Sequence, residues 1–280
     1  MQHLLEERPS FHFHTGQLPF YFTFPALEET GLCRHAFSSR LGGASRGRYA
    51  SLSLSFWMGD DRDAVYENFR RLCAAIGVDE TRLVFGDQVH SANIRVVTEE
   101  DAGKGIVRER DYSGVDGLVT NVPDLPLVTL YADCVPLLFL DPVKRAVGCA
   151  HAGWRGTAAS IGRRTVETMQ QAYGSAPQDI LACIAPSIGP CCYEVDQPLQ
   201  SVFTSIPDVD PQDLLTPKGE GKYMLDLWET NRRILLAAGL REEHITVAGL
   251  CTSCHADLFH SHRATGGNRG SLAAIIALKA

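Results

Sequence analysis

Ala146-Val147-Gly148-Cys149-Ala150-His151-Ala152-Gly153-Trp154-Arg155-Gly156 reads as an apolar strand that stops at a histidine and turns through two glycines. From Thr157 to about Tyr173 the pattern becomes helical, with Ile161, Val166, Met169 and Tyr173 as the buried stripe and Gly174 as the stop. Just upstream, Leu127–Tyr131 and Leu137–Leu140 are two further apolar strands flanking Ala132-Asp133-Cys134. Asp133 and Pro136 interrupt this run, which is too short to span a bilayer.

Working outward, Cys33–Arg40 reads as a strand closed by Gly42-Gly43. Asp60 or Asp61 caps a helix whose apolar face is Val65, Phe69, Leu72, Cys73 and Ile76, and Gly77 ends it. Strands are expected at Leu83–Phe85, Ile94–Val97, Gly117–Thr120, Ile180–Ala185, Ile245–Leu250 and Ser271–Leu278. Asp226 caps a helix running through Leu235 to Gly239. Strands and helices mix without strict alternation, so an α+β fold is expected over a doubly wound parallel sheet. Residues 1–29 are expected to be an N-terminal arm with one strand, and Ser205 to Gly221 a long surface loop. No linker divides the chain, so a single domain over residues 1–280 is expected.

With 45% hydrophobic and 21% charged residues, the chain has the makeup of a soluble globular protein. Its net charge of -7 disfavours nucleic acid or an anionic membrane as partner, since both require a basic footprint. A small anionic substrate held by a few local arginines is compatible with it. Met1 to Arg8 carries no basic-then-apolar export signal, and the nine cysteines are an odd, scattered set. Together these features point to the cytoplasm.

His90, Cys134 and His151 each fall at a strand end beside a turn. Two imidazoles and a thiolate suit zinc, and three protein ligands leave a fourth position for water or substrate. Spacing alone leaves open the reading of satisfied structural histidines and a core thiol. Gly153, Arg155 and the helix start after them suit an anion, because exposed amides and a guanidinium attract negative charge. Arg40 and Arg263 are candidates for a second clamp on that anion, and Gln88 alternates onto the His90 face as a substrate contact. Asp87 and Asp133 lie close in sequence to a ligand and could orient an imidazole. Asp133 would face away from Cys134 on an extended strand, which favours a structural role. Cys251-Thr252-Ser253-Cys254 reads as a metal half-site or redox pair without a matching partner motif, and the neighbours Cys191 and Cys192 read as free thiols.

Gly86-Asp87-Gln88-Val89-His90, Ala132-Asp133-Cys134-Val135-Pro136 and His151-Ala152-Gly153-Trp154-Arg155-Gly156 resemble the signatures of the YfiH-like family. That family is also called the multicopper polyphenol oxidase or laccase-domain family, and the purine nucleoside phosphorylase family. Phe37–Ser45, Ala185–Val195, Leu250-Cys251-Thr252 and His260–Arg263 resemble further blocks in the same order, over roughly residues 30 to 278. The sequence departs from the family pattern in two places. Ser53 and Ser55 stand where the family often has Asn and Gly, and His262-Arg263-Ala264 replaces a common Tyr-Arg-Arg.

The resemblance implies a four-layer α-β-β-α sandwich with mixed sheets, shared distantly with cytotoxic necrotizing factor. It places the metal ligands on His90, Cys134 and His151. It implies phosphorolysis of adenosine, inosine and methylthioadenosine, with adenosine deamination as a side activity. The His-x-Glu and Pro-Cys-x-x-Cys pattern of zinc deaminases is lacking, so deamination would use another geometry. The alternative reading is a Cys134–His hydrolase acting on amide bonds, for example in a cell-wall precursor. A copper phenol oxidase is disfavoured. It needs several histidine-rich sites, and the ten histidines supply only His12-Phe13-His14 and His260-Ser261-His262 as close pairs.

Overall fold

A computed structural model describes residues 10–280. The Met1 to Arg8 segment, read above for export signals, lies outside the described residues. The chain begins with β1 (His12–His14), β2 (Tyr21–Thr23), α1 (Pro25–Glu28) and β3 (Cys33–Ser38). Helix α2 (Arg62–Ile76) follows, then β4 (Val84–Phe85), β5 (Ile94–Val96), β6 (Gly117–Thr120), β7 (Leu127–Tyr131), β8 (Val135–Asp141) and β9 (Ala146–Ala152). Next come α3 (Trp154–Ala158), α4 (Ile161–Tyr173), β10 (Leu181–Ile184), β11 (Glu194–Asp196) and α5 (Gln197–Phe203). The chain closes with β12 (Leu215–Gly219), β13 (Lys222–Leu225), α6 (Leu227–Ala237), β14 (Ile245–Val247), α7 (His262–Thr265) and β15 (Leu272–Leu278).

Two six-stranded mixed sheets, ordered β1-β2-β3-β15-β7-β4 and β14-β10-β8-β9-β6-β5, face each other. Phe22, Phe37, Leu127, Leu272, Ala274 and Ile276 of the first interleave with Leu118, Leu138, Leu140, Val147 and Cys149 of the second. The opposite face of the first sheet, through Val128, Ala273 and Ile275, receives Val65, Phe69 and Leu72 of α2. That of the second, through Val135, Leu137, Phe139 and Ala150, receives Val166 and Met169 of α4 and Ile234 and Leu235 of α6. The result is the expected α-β-β-α layering. Central strands are covered on both faces, which explains why β8, β9 and β15 read as continuous apolar runs rather than alternating ones.

Three departures from the sequence reading bear on the architecture. Among its described residues the arm carries two strands where one was expected, and both extend the first sheet through the pairing of Tyr21 and Phe22 with Ser38 and Phe37. The expected helix Thr157–Tyr173 is two helices. Ser160 takes φ 56, which ends the five-residue α3 and re-aims α4 across β9. The loop from Ser205 to Gly221 contains β12, which forms a small third sheet with β11 and β13. No helix among the described residues is long and apolar enough to cross a membrane.

His35 on β3 is buried, and its Nε2 accepts the Phe24 amide at 2.8 Å. Burial holds it neutral and lowers its pKa to about 4. The unfolded chain takes up a proton near pH 6.5 and the folded chain does not, so stability falls as pH drops from about 6.5 to about 4. The expected loss is about 3 kcal/mol at the acid end of that window. His35→Gln keeps an acceptor without the titration, so denaturant unfolding across this range should show a shallower pH slope in the variant.

Candidate metal centre

The centre forms where the chain passes from one sheet to the other. His90 lies on the connection from β4 of the first sheet to β5 of the second, and Cys134 in the turn joining β7 to β8. His151 sits near the end of β9. The β8–β9 ladder sets Pro136 opposite His151, so the Cys134 turn and His151 meet at one end of these two central strands of the second sheet. The ligand atoms of His90, Cys134 and His151 all lie within 4.8 Å of one another. His90 has φ 64 and Asp133 φ 87, so both turns flanking the centre use the left-handed region that non-glycine residues seldom enter.

Asp116 organises this arrangement. It is fully buried just before β6 and accepts the amides of Val89, His90 and Ser91 at 3.1, 3.0 and 2.8 Å. The Ser91 hydroxyl donates to the same carboxylate at 2.8 Å, and His151 Nδ1 sits 2.9 Å from it. With Nδ1 committed to Asp116, Nε2 is the His151 nitrogen left to meet a metal or Cys134. Burial opposes ionisation of Asp116, but the hydrogen bonds from His151 and Ser91 outweigh it and hold the carboxyl below its usual range. Burial likewise pushes the Cys134 thiol up. The charge on His151 and hydrogen bonds from both histidines more than reverse this and bring it to about 6. Burial disfavours the imidazolium of His151, yet Cys134 and Asp116 raise it to about 9. Without a metal the pair therefore stands as a Cys134 thiolate beside a protonated His151, and a borderline-soft cation bound there would displace the imidazole proton and take its place between the two.

Gly153 caps α3 against the centre. A Cβ there would stand 3.0 Å from both Cys134 Sγ and His90 Cδ2, so glycine keeps the ligands' space open. Helix α3 is too short for the anion-attracting N-terminus expected from sequence, which leaves that task to side chains.

Two cavities share His90, Cys134 and Arg269 as a common wall. One, of about 370 Å³, is lined by Trp154, Arg155, Tyr193, His262 and Arg263. The other, of about 380 Å³, is lined by Ser55, Trp57, Gln88 and Arg110. A larger cavity of about 660 Å³ lies elsewhere, beside His14, Tyr21 and Arg70. Arg155 is exposed, and its guanidinium lies 4.3 Å from the Trp154 ring, with no hydrogen-bond acceptor among the described residues. Arg263 spends two nitrogens on the carbonyls of Cys192 and Glu194, at 2.9 and 3.2 Å.

Gln88 and Arg40 are both engaged by the backbone, but Gln88 lines a cavity beside the centre and Arg40 does not. The Gln88 amide is tied at both ends to Leu130, donating at 2.8 Å and accepting at 2.7 Å, so it continues the β4–β7 pairing while lining the second cavity. Arg40 donates to Ala50 and Ala256 carbonyls and lines neither cavity beside the centre. Asp133 accepts the Thr252 hydroxyl at 2.7 Å and the Arg263 amide at 2.6 Å, and Asp87 pairs with Arg110 at 2.9 Å. Neither carboxylate orients a ligating imidazole.

The family model described as "Multi-copper polyphenol oxidoreductase laccase" matches residues 34–279. The chain belongs to that family. Among this laccase-like family, purine nucleoside phosphorylase YlmD from Geobacillus stearothermophilus is 42% identical over 245 residues, covering 85% of this chain and 88% of the relative. Adenosine deaminase RL5, from an unknown prokaryotic organism, is 32% identical over 237 residues, covering 84% and 90%. The crystal structure of Bacillus licheniformis hypothetical protein YfiH superposes with a TM-score of 0.90 at 35% identity, covering 95% of this chain and 99% of that one.

For this laccase-like family member, sequence reading missed Asp116 and Arg269. Asp116 left a usable signal: a carboxylate opening the apolar strand Gly117-Leu118-Val119 must find donors when buried. Arg269 follows Gly266-Gly267-Asn268 and precedes the last strand. It is half-buried, donates to the Gly270 carbonyl, and has an Nε without a hydrogen-bond partner. The two departures from the family pattern also reach the cavities, since Ser55 lines one and His262 the other.

Proposed function

We propose that the chain is a cytoplasmic, zinc-dependent purine nucleoside phosphorylase. Its substrates are adenosine, inosine and methylthioadenosine with phosphate, and adenosine deamination is a side activity. The observation that carries this is the open, three-ligand set of His90, Cys134 and His151 on the wall between two cavities, one of them lined by Arg155, Arg263 and Arg269. The names of the relatives, purine nucleoside phosphorylase and adenosine deaminase, support a nucleoside substrate.

Phosphate fits the cavity of Arg155, whose guanidinium donors are not taken by protein acceptors among the described residues. A purine fits the other, where Trp57 offers an exposed ring with Arg110 stacked on it at 4.5 Å. Zinc held by the three side chains would supply a Lewis acid to an oxygen brought against it. The protein's own part is to fix that position through Asp116 and to set phosphate and ribose in line across the shared wall. A copper phenol oxidase gains nothing from the structure. The two groups of potential ligands among the described residues contain only two histidines between them.

One arrangement favours a second reading. Asp116, His151 and Cys134 form an ordered series of carboxylate, imidazole and thiolate, the design of a cysteine hydrolase acting on amide bonds.

Incubating the tag-free protein with adenosine and phosphate tests the proposal, with ribose-1-phosphate and adenine as the expected products. Arg155→Ala should lower kcat/KM for phosphate by about 10- to 100-fold, the loss of one charge-assisted contact. Adenine released at the same rate without phosphate would sink the phosphorolysis reading.

A further inference from the structure

Four of the eight cysteines outside the catalytic group, at two distant places in sequence, converge. Cys191 Sγ and Cys192 Sγ each lie 3.4 Å from Cys254 Sγ, and with Cys251 all four sulfurs fall within 4.8 Å of one another. Four thiolates about 2.3 Å from one tetrahedral ion stand about 3.8 Å apart, so this spread matches a four-cysteine coordination shell. A disulfide needs sulfurs at about 2.05 Å, and all four residues are free thiols.

The backbone explains how neighbours can share a target. Residues 189–193 form a tight turn in which the Gly189 carbonyl accepts the amides of both Cys192 and Tyr193 at 3.0 Å. On a strand, adjacent side chains would point to opposite faces. The other half is set by a parallel bridge between Ser187 and Cys251, with the Thr252 amide donating to Ser187 at 3.0 Å. The Gly189 amide donates to Cys251 Sγ at 3.3 Å, the kind of contact that orients and stabilises a metal-bound thiolate.

We propose that Cys191, Cys192, Cys251 and Cys254 form a second metal site that takes a thiophilic divalent cation, zinc first. Four protein ligands close the coordination sphere, so the ion is structural and does no chemistry. It clamps the 187–193 turn to the 250–255 segment. Ile188 and Tyr193 of the first line the Arg155 cavity, and Thr252 of the second holds Asp133 beside Cys134. Binding would therefore stiffen one wall of the catalytic cavity. The inference stands on the sulfur geometry and is independent of the nucleoside reading.

The full chain is purified without a tag under reductant in the presence of zinc, and its metal is counted by mass spectrometry. About two zinc ions per chain are expected in the wild type and about one in Cys254→Ser. His90→Ala should lose the other ion and keep this one. Cobalt is then titrated into Cys134→Ser, where the four-cysteine group is the one sulfur-bearing group of potential ligands left among the described residues to give a thiolate-to-cobalt charge-transfer band. This arm holds even if Cys254→Ser fails to fold. Absence of the band overturns the site. So does an unchanged zinc count in a folded Cys254→Ser, or a Cys191–Cys254 or Cys192–Cys254 disulfide in the reduced, zinc-supplied protein.

Discussion

Asp116→Ala is expected to abolish metal retention at the catalytic centre and to cost about 3–5 kcal/mol of stability. The carboxylate receives three consecutive backbone amides, the Ser91 hydroxyl and the His151 ring from a fully buried position. Alanine leaves those donors facing a cavity, and each unsatisfied group costs about 1–3 kcal/mol before any relaxation. The 89–91 turn, with His90 at positive φ, then loses what holds it. For a chain of this size the melting temperature should fall by roughly 10 °C. Asp116→Asn is the sharper test. It preserves volume but turns an NH2 toward donors, and should weaken metal binding by about 10- to 100-fold with a smaller thermal effect. Wild-type metal affinity in Asp116→Asn would refute the organising role given to this residue.

Cys134→Ser should lower phosphorolysis on the order of a thousandfold or more, beyond the effect of losing an orienting partner. A serine hydroxyl is a poor replacement for a thiolate ligand, and Cys134 alone brings sulfur to the catalytic centre. Chelation should silence the wild type to the same degree, and added zinc should restore it. Because the Asp116–His151–Cys134 series also fits a nucleophile, the decisive contrast is between these two treatments. Amide hydrolysis that survives chelation and disappears in Cys134→Ser would transfer the site to the hydrolase reading.

Local pattern carried much of the fold. Helix α2 begins at its Asp61 cap and ends at Gly77, as read, because both termini are specified by residues within one turn. Strands β7, β8, β9 and β15 were legible as apolar runs because both of their faces are buried. The break at Ser160 was not legible. The stretch from Thr157 to Tyr173 keeps a helical pattern, and the turn there lets α3 sit against the centre while α4 crosses β9. One of the two arm strands β1 and β2 was expected, without bounds, and the other was missed along with β12, because three to five residues give too short a period to count and their stability comes from the sheet they join.

The candidate ligands divide the same way. Sequence alone determined that His90, Cys134 and His151 sit at strand ends beside turns, and the ordered motifs raised them above other histidines and cysteines. It also determined that Arg155 stands next to His151, since adjacency needs no folding. Only the tertiary structure decided that Asp116, rather than Asp87 or Asp133, orients His151, and that Gln88 and Arg40 are engaged by the backbone. Only it brought Cys191 and Cys192 against Cys251 and Cys254. The reason is physical. Turns and strand ends are set by neighbours in the chain, whereas a buried carboxylate or thiol acquires its partners from segments tens of residues away. Those partners are chosen when the two sheets close on each other.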